Sequence, residues 1–422
     1  MAASNVSTND QLNSISSVAG QWPALALCYL ATVAIFIPYV GYSTAIPQMM
    51  QDLGMNYTMV GTLASVTALA GGIVLPFAGV LVDRWGAKKV TVLGLLISFI
   101  GQLIFSYMPN YEMMLLSRII LGAGIVLLFV APYTLAIRWF EESDKIAVSL
   151  GVMLATDGIG TLGALYLFSK VLTAYGWRNG SALGSIVVFV MFVIALFFLK
   201  EPPKYTDVQE KRDVNADQSN QASVLKEYFA VIGRKNVIIA SSFLIGVWGS
   251  YAIAVYWVPT LLMEAGWSES LAGFLGALYP VTGMVGSIVF GLISDNIGKR
   301  KPLILISGLV MALSFVAAAF AVSINSYGLL AAMLPLSGLF AYSGLPICYA
   351  LAADTVGVKL AATANGFIMS AGLLIGGLLY PLALGIVRDQ TQAYTWGFIV
   401  AAASLLLLNF LLPLAADDVK AK

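Results

Sequence analysis

Arg118 and Asp157 each stand inside an otherwise apolar stretch of chain, "MMLLSRIILGAGIVLLF" and "VMLATDGIGTLGALYLF". Ionisable groups are costly to keep in such surroundings, so they are the first candidates for chemistry. A buried guanidinium can anchor an anion or carboxylate, or act as the partner that changes a carboxylate's protonation; it can also simply tie down helix-end carbonyls. A buried carboxylate can carry a proton or serve as counter-ion to a cationic ligand. Here it can also cap a break in a helix rich in glycine, at Gly158, Gly160 and Gly163. The chain has no histidine, so any proton relay must use carboxylates. A second set of charges follows an apolar run in "GVLVDRWGAKK" and returns in "GLISDNIGKRK".

The elements that must hold these residues are membrane helices. Hydrophobic residues make up 59% of the chain and charged ones 10%, with a mean hydropathy of +0.89, far from the composition of a soluble domain. A net charge of +1 and the lack of a basic stripe argue against a nucleic-acid partner. No nucleophile set, metal set or phosphate loop is evident, so neither an enzyme nor a cofactor is expected. Cys28 and Cys348 lie in apolar runs and read as small buried hydrophobes.

A bilayer core requires about 20 apolar residues per helix. Twelve such runs are present, at 22–46, 58–82, 90–109, 111–137, 146–170, 179–199, 237–263, 269–293, 303–323, 326–353, 361–386 and 393–414. The polar segment 200–236 reads as a mobile cytoplasmic linker between two halves, 22–199 and 237–414. Residues 1–21 read as a disordered cytoplasmic tail and 415–422 as a second tail. Placing both termini in the cytoplasm puts the lysines and arginines on that side, leaving Arg118, Lys170, Arg178 and Arg388 elsewhere. Arg118 and Asp157 then differ in depth by on the order of 10 Å, near the reach of a long side chain, so a direct pair is left open.

Shifting the chain by 212 residues lays Pro47 on Pro259, Asp52 on Glu264, Gly54 on Gly266, Gly71 on Gly283, Gly79 on Gly291, Asp83 on Asp295, Gly86 on Gly298 and Lys88 on Arg300. Matches of this density make the halves parallel repeats. With these residues in view, the sequence resembles the major facilitator superfamily of secondary transporters. "GVLVDRWGAKK" matches that family's G-x-L-a-D-R-x-G-r-k signature after helix 2, at Gly79, Asp83, Arg84, Gly86 and Lys88. Gly291, Asp295, Gly298 and Arg300 form a weaker copy with Asn296 in place of Arg84, and "LLSRIILGAG" matches an R-x-x-x-G element at Arg118 and Gly122.

The resemblance implies an all-α membrane protein with twelve transmembrane helices in two six-helix bundles, related by pseudo-twofold symmetry and rocking about a central site. It implies that Asp83 and its neighbours latch the bundles in the outward-facing state, with Gly79 allowing close approach and Gly86 a tight turn. Helices 1, 4, 7 and 10 line the family's cavity, which would place Tyr39, Tyr42, Ser43, Tyr133, Trp248, Tyr251, Tyr256, Tyr342 and Ser343 around a ligand. Trp177, Trp257 and Trp267 read as membrane-interface residues. Gly71, Gly283, Gly286, Gly372, Gly376 and Gly377 read as crossing points where the halves meet.

The expected function is transport of a small polar metabolite, an organic anion such as a carboxylate, held partly by Arg118 and moved with protons through Asp157. A monomer in the cell membrane, among lipid and without a cofactor, would do this. "RWFEESDK" and "GWR" resemble segments of transporters for small carboxylates and inorganic anions, and the G-P-x-x-G-G element of drug antiporters is absent. The alternatives are an exporter of organic cations or amphipathic drugs built on Asp157 and the aromatic set, a uniporter, or a non-transporting receptor or channel of the same fold.

Overall fold

The computed structural model describes residues 8–417 apart from 142, 144, 204 and 206–230. Most of the expected linker therefore lies outside the described residues, as do residues 1–7 and 418–422. Helix is already present from Thr8, so residues 8–21 differ from the disordered tail that their polar composition led us to expect.

Among the described residues, twelve helices cross the apolar layer. They are α1 (Gly20–Leu53), α2 (Tyr57–Trp85), α3 (Ala87–Tyr107) and α4 (Tyr111–Phe140), then α5 (146–175) and α6 (177–198). The second half holds α7 (Lys235–Glu264), α8 (Glu269–Ile297), α9 (Lys301–Ser323), α10 (Tyr327–Val356), α11 (Leu360–Thr391) and α12 (Thr395–Ala415). Only Gly176, at φ +75° and ψ 160°, divides α5 from α6.

Local chemistry sets the helix ends. Asn56 accepts from Met59 N (2.8 Å) and Asn110 from Met113 N (3.1 Å), opening α2 and α4 with side-chain caps. Gly86 and Gly298, repeat partners in the sequence, both take positive φ (+90° and +66°) where the chain turns out of α2 and α8. The repeat extends to irregularities: the 212-residue shift carries the 3-10 turn Gly41–Ala45 of α1 onto the π turn Ile253–Trp257 of α7.

Within the halves, small residues bring backbones together. A Cβ on Gly122 would run into Thr67 O, where α4 crosses α2, and one on Gly286 would run into Leu339 O, where α8 crosses α10. Of the glycines expected where the halves meet, Gly377 is such a point, facing Ala68 across the interface; Gly71, Gly283, Gly286, Gly372 and Gly376 pack inside their own half.

Because the helix count is even, both termini leave on one face, the terminus face, and the α1–α2 and α7–α8 turns lie on the far face. The halves meet through α2 with α11 and α5 with α8. On the far side the contact leaves no room for a side chain: a Cβ at Gly61 would collide with Pro381 O, at Gly385 with Tyr57 O, and at Gly273 with Leu165 O. Toward the terminus face, a Cβ at Gly79, Gly151 or Gly366 would meet nothing within 4 Å. The molecule is closed at the far face and parted at the terminus face. Gly79, expected at a close crossing, faces open space in this conformation.

Gly61→Val places two methyl groups against the Pro381 carbonyl across the closed interface. We expect it to shift the population toward a far-open form by roughly 5–150-fold, the equivalent of about 1–3 kcal/mol of overpacking. Ser65 Oγ, which donates to Leu378 O across the same contact (2.6 Å), is the reporter. Ser65→Cys should react faster with an impermeant thiol reagent once it is combined with Gly61→Val, and unchanged labelling would refute the wedge.

Candidate functional site

Arg118 lies on α4, about 10 Å from its far end at 1.5 Å per residue, and is fully buried. Its guanidinium is sandwiched between the rings of Tyr42 on α1 (3.8 Å) and Phe105 on α3 (4.0 Å). One terminal nitrogen donates to Pro38 O at 2.6 Å, just before α1 tightens into its 3-10 turn. Its Nε and other terminal nitrogen have no hydrogen-bond partner, and neither does the buried Tyr42 hydroxyl. The guanidinium thus ties to a backbone carbonyl through one nitrogen and leaves its other two without a partner. Two ring faces supply part of the stabilisation that a counter-ion would otherwise give.

Asp157 sits near mid-depth on α5, and no ion pair joins it to Arg118. It instead accepts a hydrogen bond from the Tyr342 hydroxyl of α10, in the opposite half. Thr161, one turn further along α5, meets the Tyr251 hydroxyl of α7 at 3.3 Å. Tyr251 and Tyr342 flank Tyr279, with ring centroids at 6.5 and 6.2 Å, and Tyr279 is in turn hydrogen-bonded to Ser250 (2.5 Å). Gly158 packs on Val281 of α8 with 3.2 Å to its Cα from a built Cβ. That glycine accounts for how closely the Asp157 turn approaches the other bundle.

The expected aromatic set divides by depth. Tyr39, Tyr251 and Tyr342 surround the Asp157 level, while Tyr42 and Tyr256 lie toward the far face beside Arg118. Tyr256 packs against Tyr42 across the halves with ring centroids 5.6 Å apart and planes tilted by 38°, and donates to Tyr39 O at 3.4 Å. Tyr133 is turned to its own half, bonded to Met153 O (2.7 Å) and Thr156 (3.1 Å). Trp248 packs edge-on to Tyr251 at 5.8 Å. Ser343 pairs with Ser307 (2.7 Å) inside the second bundle.

At the terminus face each signature copy pairs within its own half. Asp83 meets Arg138 of α4 (3.5 Å), and Arg138 also meets Glu201 (3.7 Å), which accepts from Lys88 N (2.8 Å). Arg84 is exposed. In the second copy Arg300 reaches Asp354 of α10 (3.4 Å) and Ser294 (2.7 Å), while Asp295 lies on the last turn of α8. A bond from Asp83 across the bundles requires the terminus face to be closed, and here it is parted.

Sequence reasoning missed a polar lock at the far face. Asp389, at the end of α11, accepts from Tyr57 N (3.1 Å), Thr58 N (2.7 Å) and Thr58 Oγ1 (2.6 Å), so a carboxylate of one half caps the first turn of α2 in the other. Beside it Glu264 accepts from Tyr57 (2.9 Å), Tyr394 (2.8 Å) and Arg388 (3.2 Å). The signal was "RDQ" (388–390) interrupting an apolar run. Trp177 and Trp257, expected at the membrane interface, are buried instead: the first donates to Asp52 (2.7 Å) and the second to Pro381 O (3.2 Å).

Two repeated six-helix bundles that seal one face and part at the other, with ionisable groups buried at depth, have the architecture of a secondary membrane transporter. The sequence profile of the Major Facilitator Superfamily matches residues 28–268 and 239–421, and the chain belongs to that family. It is 24% identical to the probable sulfoacetate transporter SauU of Cupriavidus necator, over 94% of this chain and 95% of that one. It is also 24% identical to the 4-hydroxybenzoate transporter PcaK of Pseudomonas aeruginosa, over 89% of both chains. Its fold is similar to the crystal structure of a single-site mutant of the nucleoside transporter NupG, with a TM-score of 0.74 at 16% identity, covering 92% of this chain and 98% of that one.

Asp389→Asn keeps the shape of the far lock and removes its charge. Hydrogen bonds to a charged group contribute about 1.5–3 kcal/mol, so the far-closed population should fall by roughly 10–150-fold relative to far-open. Fluorophores at Gln51→Cys and Ala265→Cys, both exposed on the far face in opposite halves, would report a larger long-distance population. An unchanged distribution would show that the lock carries no weight.

Proposed function

We propose that this protein carries a small organic anion, a carboxylate or sulfonate, across the cell membrane together with protons. The terminus face is then cytoplasmic, which agrees with the lysine and arginine distribution. The observation that carries the reading is Arg118: a fully buried guanidinium with two nitrogens lacking any hydrogen-bond partner and no carboxylate beside it among the described residues. An unneutralised charge at this depth is costly, and an anionic ligand offering two oxygens matches a guanidinium edge. The names of the relatives, a sulfoacetate and a 4-hydroxybenzoate transporter, support an anionic cargo.

Arg118 is sealed from the far side by the Tyr42–Tyr256 contact between the halves. An anion would reach it as α1 and α7 separate, and Tyr256 would close behind it. Asp157 is the proton carrier in this reading. Its carboxylate accepts from the Tyr342 hydroxyl of the opposite half. When the far face opens and the terminus face closes, Asp83 takes its place in the latch between the bundles.

In proteoliposomes, 4-hydroxybenzoate and sulfoacetate uptake driven by an inward proton gradient is the test. Arg118→Ala should lower uptake by roughly 10–150-fold, the loss of about 1.5–3 kcal/mol of charge-assisted hydrogen bonding, with partial retention in Arg118→Lys. Asp157→Asn should abolish accumulation against a gradient while leaving counterflow exchange. Full uptake by Arg118→Ala would remove the anion anchor, and accumulation by Asp157→Asn would remove the proton carrier.

A further inference from the structure

We propose that Tyr342 is the positioning residue that makes Asp157 release its proton when the far face closes. The inference rests on Asp157 being the proton carrier. Asp157 belongs to α5 in the first half and Tyr342 to α10 in the second, so their hydrogen bond exists only while the halves are together at this depth. A hydroxyl donating to a carboxylate favours the ionised form, since a protonated acid is the weaker acceptor.

In the far-closed conformation the phenol O–H donates to Asp157 Oδ2 and stabilises the ionised carboxylate. As the far half opens and α10 moves away, that donor is withdrawn and Oδ2 can take up a proton from water on the far side. On closure Tyr342 returns, donates to Oδ2, and the proton leaves to water on the parted side. No bond other than O–H is made or broken.

The surroundings isolate this effect. The titratable groups that face Asp157 are Tyr39 of α1, Tyr133 of α4, Tyr251 of α7 and Tyr342 itself. α8 presents Pro280 and Val281 against the adjoining Gly158. No cation and no second carboxylate is paired with Asp157 among the described residues. Tyr133 is occupied in its own half by Met153 O and Tyr251 by Thr161; Thr161 also hydrogen-bonds Asp157 but moves with it on α5, so Tyr342 is the donor that both reaches the carboxylate and comes from the moving partner.

Linkage fixes the sign. Protonation favours the conformation without the donor, so the far-open fraction rises as pH falls. With the label pair at Gln51→Cys and Ala265→Cys, the native chain should move toward longer distances between about pH 8 and about pH 5. Tyr342→Phe should flatten that response at least roughly fivefold, because both conformations then bind the proton alike. Ser65→Ala removes another hydrogen bond between the same halves, to Leu378 O (2.6 Å), away from Asp157; it should shift the distribution equally at every pH and leave the response intact.

A native-sized response in Tyr342→Phe, with the response lost in Asp157→Asn, overturns the role of Tyr342 alone. A response that persists in Asp157→Asn, or is missing from the native chain, overturns the proton-carrier reading and this inference with it. Should Tyr342→Phe not fold, Tyr342→Leu serves in its place, read by the same pH response.

Discussion

Hydrocarbon offers no water to a buried charge, and the arrangement of this protein follows from how few charges it admits and what each is given in place of hydration. Arg118 is given one carbonyl and two aromatic faces. Asp157 is given a hydroxyl that belongs to the other half of the molecule. Neither is neutralised by the other, although the two lie at neighbouring depths. A direct pair would satisfy both at once and leave nothing for a ligand or a proton to do. Kept apart, Arg118 retains two nitrogens without a partner, and Asp157 depends on a donor from the other half.

The internal repeat shows how one architecture supports two unlike ends. Asp52 and Glu264 occupy matching positions at the ends of α1 and α7. Asp52 stays within its half, accepting from Trp177, whereas Glu264 accepts from Tyr57 in the opposite half as well as from Tyr394 and Arg388 in its own. At the terminus face the signature copies hold α2 to α4 and α8 to α10 without crossing the gap. Far-face closure is therefore carried by a few polar bonds and close backbone contacts at Gly61, Gly273 and Gly385. Such a set can be given up cooperatively, as alternating access requires.

Periodicity and composition made the helices legible, because an apolar run of membrane length has few other fates. Gly86 and Gly298 were equally readable: a glycine after a charged helix end, repeated at the same offset, implies the positive φ that both adopt. Arg118 and Asp157 stood out by contrast with their surroundings. Contacts between halves were not legible, since they depend on which faces meet in a given conformation. Trp177 and Trp257 carry the composition of an interface belt yet are buried, their N–H groups satisfied by Asp52 and by Pro381 O. Asp389 looked like an ordinary charge at a helix end, and only the neighbouring start of α2 gives it three donors.

The depth order of the two charged residues constrains the sequence of events. Arg118, Tyr42 and Tyr256 lie beyond the Asp157 level toward the far face, and Tyr256 ties back to it through Tyr39 O. In the proposed reading a ligand entering from the far side meets the guanidinium first and passes the tyrosines around Asp157 to leave by the parted face. α7, which closes on α1, and α10, which carries Tyr342, pack within the same bundle, so in the proposed cycle closure of α1 on α7 and return of Tyr342 to Asp157 are parts of one movement. Under the proposed roles of Arg118 and Asp157, sealing the cargo and displacing the proton are mechanically one step. Neither residue has to sense the other's charge directly for the two fluxes to be coupled.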